Sequence, residues 1–243
     1  MVKNKPLLRS TPIKEKVSAK LILKMLEEAE EKNIMLNSIM IIRDGKVITE
    51  GYYKPYSECI ERSMHSATKS FTATAIGLLI DEGRLKLEDT VMSFFPEYAP
   101  ENPCDNLKKM NVWHLLTMTC GHDSVPPRKG TDNYVKQFLN HPVPYVPGTH
   151  FQYSSMASYM LTAIIRKVTG QNMTRYLRTR IFEPLGIYDA YCDTCPMGIE
   201  YGGGGLFLRT EDLAKLAVLY LNNGIWNGVR LLSVSYTHLR AHE

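Results

Sequence analysis

The sequence predicts an α+β fold. Its longer segments carry apolar residues at the spacing of α-helices, and glycine and proline separate them. The strongest strand signal lies near the N-terminus, in residues 37–53, where two β-rich runs meet at Asp44 and Gly45. An Asp-Gly pair between such runs is typical of a two-residue hairpin turn, so these strands are antiparallel. A helix-rich chain with one early antiparallel hairpin belongs to the α+β class.

Helices are predicted on both sides of the hairpin. Before it, residues 18–32 carry an apolar stripe, and Ser18 can cap the first turn. After it, a helix begins at Ser66, reaches about Ile80 and is ended by Gly83. This helix is apolar nearly all round, which is typical of a helix buried in the middle of a domain.

Three further helices follow. One covers residues 112–118, and a second lies in "FQYSSMASYMLTAIIRKVTG", whose apolar face ends at Gly170. Thr210 can cap the last helix. A run of four glycines, residues 202–205, precedes that helix and is predicted to be flexible.

Length and charge limit the function. The chain has 243 residues and a net charge of +4, with its basic residues scattered. Residues 1–16 are weakly basic and are predicted to be a flexible, solvated arm, not a nucleic-acid or membrane contact. No apolar run reaches the length of a membrane span, and no signal peptide is recognisable near Met1. A cytoplasmic location is therefore predicted, with neither nucleic acid nor membrane as a partner.

Neither a disulfide framework nor a metal site is predicted. The cysteine count of five is odd, which favours reduced thiols. Cys192 and Cys195 have CxxC spacing, but without a second pair they are interpreted as incidental thiols. His114, His122 and His150 have no metal-ligand spacing among them, so no metal or other cofactor is predicted.

The segment "MHSATKSFTATAIGLLIDEG" places Lys69 three residues after Ser66. Random placement of serines and lysines gives about one such pair in a chain of this length, so the spacing alone proves nothing. On a helix, however, residues i and i+3 share one side, and the first backbone N–H groups have no intrahelical partner. A partly desolvated amine can accept the serine proton, and the serine N–H can donate to an oxyanion. The alternative is that Ser66 only caps the helix while Lys69 extends to solvent.

Ser66-Ala67-Thr68-Lys69 resembles the first motif of the penicillin-recognising serine hydrolases. Four more segments make the chain resemble the class C β-lactamase-related family, which includes esterases, D-aminopeptidases and D-alanyl-D-alanine carboxypeptidases. They are "VWHLLTMTCGH", "PGTHFQYSSMASYMLTAIIRKVTG", "IFEPLGI" and "GGGGLFLRTEDLAKLAVLYLNNGIWNGVRLLS". The resemblance covers most of residues 37–233. It implies a β-lactamase/transpeptidase-like fold, with an antiparallel sheet flanked by helices and an all-helical region.

The second motif of that family is Tyr-x-Asn, and the matching residues here are Tyr153, Ser154 and Ser155. The resemblance implies that Tyr153 relays a proton between Ser66, Lys69 and the leaving group. Ser155 stands where the family has asparagine and has one donor where an amide has two. This departure disfavours β-lactam hydrolysis more than ester hydrolysis. Ser155 is expected to contact substrate, and two glycines are expected to border the cleft, Gly203 and Gly204.

The third family motif, Lys or His followed by Ser or Thr and then Gly, is not found, and no glycine follows Gly228. We therefore interpret residues 17–233 as a partial serine β-lactamase-like domain that is truncated at its C-terminus. Residues 234–243 are interpreted as a foreign or disordered tail. Without further strands, residues 39–43 and 46–50 are expected to form a marginal two-stranded ribbon. The chain itself is expected to be poorly active.

The predicted function is hydrolysis of a small ester or amide through an acyl-enzyme on Ser66. Whether Lys69 or Tyr153 is the primary base stays open, as do the substrate and the oligomeric state. His65 is expected to face away from the nucleophile and to pack, because adjacent helical residues point in different directions. Two alternatives remain: a module that accepts an acyl group or binds a ligand without turnover, and an inactive fragment.

Overall fold

The computed structural model describes residues 6–127 and 132–233, and it confirms the α+β class. The α-helices are α1 (Ala19–Glu31), α2 (Thr68–Asp81), α3 (Val91–Phe94), α4 (Asp105–Lys109), α5 (Val112–Leu116), α6 (Tyr134–Leu139), α7 (Ser155–Thr169), α8 (Met173–Leu177), α9 (Glu183–Leu185) and α10 (Thr210–Leu221). The strands are β1 (Leu8–Arg9), β2 (Ser38–Arg43), β3 (Lys46–Tyr52), β4 (Arg62–Ser63), β5 (Tyr191–Cys192), β6 (Leu206–Leu208), β7 (Ile225–Trp226) and β8 (Val229–Arg230). Short 3₁₀ turns cover His65–Ala67 and Pro96–Tyr98, and a π-helical turn covers Arg178–Phe182.

The hairpin forms as predicted. Strands β2 and β3 are antiparallel, and both turn residues have positive φ, 50° at Asp44 and 76° at Gly45. The expected two-stranded ribbon is wrong, however, because β1 pairs in parallel with β3 and gives a three-stranded sheet with the order β1-β3-β2. The sequence shows no strand signal at β1, since two residues are too few to establish a period.

The structure also differs from the flexible arm expected for residues 1–16. The Leu7 side chain is only 6% exposed and packs with Val47 and Val218. The Arg9 guanidinium binds the carboxylates of Glu50 and Glu211 at 2.9 and 2.7 Å. Apolar burial and ion pairs thus hold residues 6–16 against β3 and α10, and these long-range contacts leave no local sequence pattern. Residues 1–5 and the predicted tail, 234–243, lie outside the described residues.

Helices α2 and α7 form the centre of the main core. Helix α2 is buried on nearly all sides, as its apolar sequence predicts, with Phe71, Ile76 and Leu79 fully buried. Helix α7 packs against it and ends at Gly170, whose φ of 72° is the left-handed conformation that favours glycine. Ser66 therefore lies just before this buried helix, and Lys69 lies in its first turn.

The start of α10 corrects a prediction about Thr210. The N-cap is Arg209, and Thr210 is the first helical residue. Its hydroxyl contacts the Ser38 hydroxyl at 2.9 Å and also accepts a hydrogen bond from Arg62. Thr210 therefore joins α10 to β2 and β4. The Asp212 carboxylate accepts the Arg209 N–H at 3.3 Å instead.

Within residues 6–127 and 132–233, no helix is long and apolar enough to cross a membrane. All five cysteines are free thiols, and Cys195 is buried against the Tyr159 hydroxyl at 3.2 Å. In the same described part, no three His, Cys, Asp or Glu side chains lie close enough to hold a metal ion.

Replacing His122 by phenylalanine is expected to flatten the pH dependence of stability. The His122 ring is 1% exposed, packs against Phe138 and has no hydrogen-bond partner among the described residues. Burial, and then the neighbouring His141, lower the pKa of His122 to about 4, while Asp123 opposes them. In the unfolded chain, His122 is protonated as the pH falls below about 6.5, whereas in the folded chain it stays neutral until about pH 4. Stability is therefore full above pH 6.5 and falls as the pH drops towards 4, by up to about 3 kcal/mol.

The measurement is urea unfolding at several pH values between 4 and 7.5 for wild type and His122→Phe. An undiminished loss of stability in the variant would place the titrating group elsewhere.

Candidate active site

Ser66 lies in the 3₁₀ turn that leads from β4 into α2. Strand β4 pairs with β6, and the Met64 N–H donates to the Leu206 carbonyl at 2.8 Å. On the next turn, the Thr68 hydroxyl accepts the Leu206 N–H at 3.2 Å. The turn is thus held to β6 on both sides of Ser66. The Ser66 side chain is exposed, which leaves its hydroxyl accessible.

Lys69, on the first turn of α2, directs its ammonium group towards Ser66. Nζ donates to Ser66 Oγ at 3.3 Å, to Ser155 Oγ at 3.4 Å and to the carbonyl oxygen of Gly203. A charged lysine has three N–H donors, so each can have one of these acceptors.

Tyr153 comes to Ser66 at the end of a long loop. The loop is fixed by backbone hydrogen bonds to the segment after α5, from Gly148 to Thr119 at 2.8 Å and from Gln152 to Met118 at 3.0 Å. Directly after it, Ser154 caps α7 by accepting the Ala157 N–H. These contacts place Tyr153 Oη 2.7 Å from Ser66 Oγ, with the tyrosine ring 47% exposed.

The environment of Tyr153 favours its phenolate. The hydrogen bond with Ser66, and then the one with Lys69, lower the pKa of the phenol below its usual value near 10. The positive charge of Lys69 acts in the same direction, and partial burial opposes both. The Lys69 Nζ lies 5.0 Å from the centre of the tyrosine ring. Tyr153 is therefore better prepared to take a proton than an isolated tyrosine.

The four glycines are packed, not flexible as predicted. The Thr72 hydroxyl donates to the Gly202 carbonyl at 2.8 Å, and the N–H groups of Gly204 and Gly205 donate to Tyr201. A Cβ atom at Gly203 would lie 2.8 Å from the carbonyl oxygen of Ser155, closer than such atoms approach. Glycine is required here because the loop touches α7, and this contact brings the Gly203 carbonyl to Lys69.

Gly203→Ala is expected to lower acylation of Ser66 about tenfold or more while the protein stays folded. The added methyl group must displace the loop or α7, which moves one of the three acceptors of Lys69. Gly204→Ala is the matched control, because its Cβ meets its nearest neighbour, the His65 backbone, at 3.7 Å, an ordinary contact. The measurement is the rate at which a fluorophosphonate labels each variant. Equal rates in the two variants would contradict the prediction.

A cavity of about 310 Å³ opens beside Ser66. Four of the site residues predicted from the sequence line it: Ser66, Ser155, Gly203 and Gly204. The other two, Lys69 and Tyr153, are hydrogen-bonded to Ser66. Sequence reasoning missed the remaining lining residues, which are Met156, Tyr159, Asp193, Tyr201 and Gly205. They come from α7 and from the β5–β6 connection. Of these residues, only Gly205 could have been found from the sequence, because it belongs to the glycine run.

His65 also lines this cavity, which corrects its expected packing role. The residue is exposed and has a φ of 44°, and the turn is 3₁₀ instead of α-helical. His65 and Ser66 therefore both border the opening. Among the described residues, Ser66 Oγ has Tyr153 and Lys69 as its hydrogen-bond partners and not the His65 ring.

Comparison with known proteins shows the family to which the sequence belongs. The sequence matches the family model "Beta-lactamase" over residues 37–234. It is 32% identical over 164 residues to Protein flp of Staphylococcus aureus (strain COL), covering 61% of this chain and 33% of that protein. It is 26% identical over 216 residues to the 6-aminohexanoate-dimer hydrolase of Paenarthrobacter ureafaciens, covering 81% of this chain and 55% of that protein.

A solved structure has the same fold. The β-lactamase/D-alanine carboxypeptidase of Pseudomonas syringae superposes with a TM-score of 0.70 at 21% identity, covering 89% of this chain and 68% of that chain. The present chain thus spans about one third of the length of Protein flp and about half that of the dimer hydrolase.

Proposed function

Because the chain belongs to the Beta-lactamase family, we propose that it is a serine hydrolase that cleaves a small ester or amide through an acyl-enzyme on Ser66. One observation carries the proposal: Ser66 Oγ lies at the mouth of a cavity, 2.7 Å from Tyr153 Oη and 3.3 Å from Lys69 Nζ. A serine hydroxyl is a weak nucleophile by itself and needs such a partner to take its proton.

Tyr153 is the immediate base in this proposal. Its oxygen is the nearer of the two partners of Ser66, and its lowered pKa favours the phenolate. Lys69 acts as a charged neighbour that stabilises the phenolate and orients Ser66, since its three hydrogen-bond donors already have acceptors. We thus propose Tyr153 as the base, where the sequence left open whether Lys69 or Tyr153 acts.

The reaction then proceeds in two halves. Ser66 Oγ attacks the carbonyl carbon as its proton passes to Tyr153, and the carbonyl oxygen becomes an oxyanion to which the Ser66 N–H donates. The oxyanion collapses, the bond to the leaving group breaks, and Tyr153 returns the proton to that group. Water then attacks the acyl carbon as its proton passes to Tyr153. The bond to Ser66 Oγ breaks, Tyr153 returns the proton to that oxygen, and the acid is released.

Ser155 supports a small ester or amide as the substrate. Its hydroxyl lines the cavity and contacts Lys69, and it can give a substrate one hydrogen bond. The relative named as a 6-aminohexanoate-dimer hydrolase supports a small-molecule substrate as well. Because this chain spans only part of the length of its relatives, the hydrolysis is proposed for the whole protein.

A burst experiment with p-nitrophenyl acetate tests the proposal. Release of one equivalent of nitrophenol followed by steady turnover supports the hydrolase. One equivalent followed by no turnover, with a stable acetyl adduct by intact mass, identifies an acyl-accepting module instead. Absence of any nitrophenol release above that of Ser66→Ala from a folded chain, as judged by a cooperative thermal transition, contradicts acylation of Ser66.

A further inference from the structure

We propose that Asp193 makes the cavity beside Ser66 a binding site for an ammonium group, so that the preferred substrates are esters or amides that carry a positive charge. The substrate class rests on the proposed function, whereas binding of the ammonium group does not. The observations are the carboxylate among the lining residues, its lack of an ion-pair partner within residues 6–127 and 132–233, and the two tyrosines that line the same cavity.

Among the described residues that line the cavity, Asp193 is the one that carries a formal charge when histidine is neutral. Its lining consists of hydroxyl-bearing, apolar and glycine residues together with His65 and Asp193. Lys69 is not among the described lining residues, and its ammonium group donates to Ser66, Ser155 and Gly203. A ligand that enters the cavity therefore meets a carboxylate on the wall, and its field favours a cation.

The backbone of Asp193 is fixed where β5 joins the glycine loop. Its N–H donates to the Gly205 carbonyl at 3.0 Å, and its carbonyl accepts the Tyr201 N–H at 2.8 Å. The side chain is exposed and has no ion-pair partner in the described part of the chain.

Tyr201 and the buried Tyr159 line the same cavity. The rings of Tyr159 and Tyr201 have centroids 6.3 Å apart, and Tyr201 adjoins Asp193 through its backbone hydrogen bond. Aromatic faces attract cations, and a carboxylate gives a charge-assisted hydrogen bond to an ammonium group. The wall thus combines the two groups that recognise alkylammonium ions, and the same carboxylate repels substrates that carry a carboxylate there.

Binding is tested by nuclear magnetic resonance with butylammonium and with the neutral butanol as titrants. We expect butylammonium to shift the amide signals of Asp193 and Gly205, and we expect the shifts to be lost in Asp193→Asn. Glu183→Gln is the matched control, since Glu183 is an exposed acid that does not line this cavity. Equal shifts from both titrants, or shifts that persist in Asp193→Asn, would overturn the proposal.

Selectivity is tested with two fluorophosphonates that differ only in a terminal ammonium or methyl group on the same chain. The ammonium probe should label Ser66 about fivefold faster, as an exposed ion pair permits, and the ratio should fall to near one in Asp193→Asn and in high salt. A ratio of the two labelling rates near one in wild type would overturn the inference. The proposed function would still stand in that case, because both probes label Ser66. Failure of both probes on a chain that still binds butylammonium would overturn the proposed function alone.

Discussion

Ser66→Ala is expected to abolish labelling of the chain by a fluorophosphonate, a loss of at least about 10³-fold in acylation rate. Ser66 Oγ is the hydroxyl that contacts both Tyr153 and Lys69 at the mouth of the cavity. Alanine removes the nucleophile and leaves the rest of the site in place, so binding alone remains. Intact mass after incubation with the probe measures the effect directly.

The matched control for this prediction is Ser70→Ala. Ser70 lies in the first turn of α2, four residues after Ser66, and is not among the residues that line the cavity. Its loss should leave the adduct at full stoichiometry. An adduct that persists in Ser66→Ala, or that maps to another residue in wild type, would show that the reactive nucleophile has been misassigned.

Lys69→Met is expected to slow acylation by about 10²- to 10⁴-fold and to move the pH dependence of the rate upward. Methionine keeps an unbranched, apolar stem but removes the charge and all three hydrogen bonds. Since contact with Lys69 lowers the pKa of Tyr153, its loss raises that pKa, and a higher pH is needed to form the phenolate. The inflection of the labelling rate against pH should therefore shift to higher pH.

Labelling rates between pH 6 and 10 measure this shift. Lys109→Met is the control, because Lys109 is exposed at the end of α4 and lies outside the cavity lining. A slower rate with an unchanged inflection would assign Lys69 a positioning role only. A cooperative thermal transition like that of wild type shows that the variant is folded.

Much of the local structure could be predicted because its causes are local. Asp44 and Gly45 determine a hairpin turn, Ser18 accepts the Leu21 N–H at the start of α1, and Gly170 ends α7. The apolar periodicity of α2 predicted its burial. The spacing of Ser66 and Lys69 on one turn was also visible, as was the resemblance that singled out Tyr153.

Predictions failed where distant segments meet. Strand β1 forms because Leu7 and Arg9 contact β3 and α10, and nothing in residues 6–16 indicates those partners. Thr210 looked like a cap but bonds to β2 and β4 instead. His65 was expected to pack, yet a 3₁₀ turn with positive φ exposes it.

The sequence by itself determined the longer helices, the β2–β3 hairpin and the residue types that could perform acyl transfer. Only the tertiary structure decided their geometry: it brings Tyr153 to 2.7 Å from a serine 87 positions earlier in the chain, and it places Asp193 on the same cavity. It also supplies the Gly203 carbonyl as an acceptor for Lys69, a backbone group that every residue has and no sequence motif identifies. The physical reason is that helix and turn preferences act between near neighbours, whereas these contacts depend on how whole elements pack.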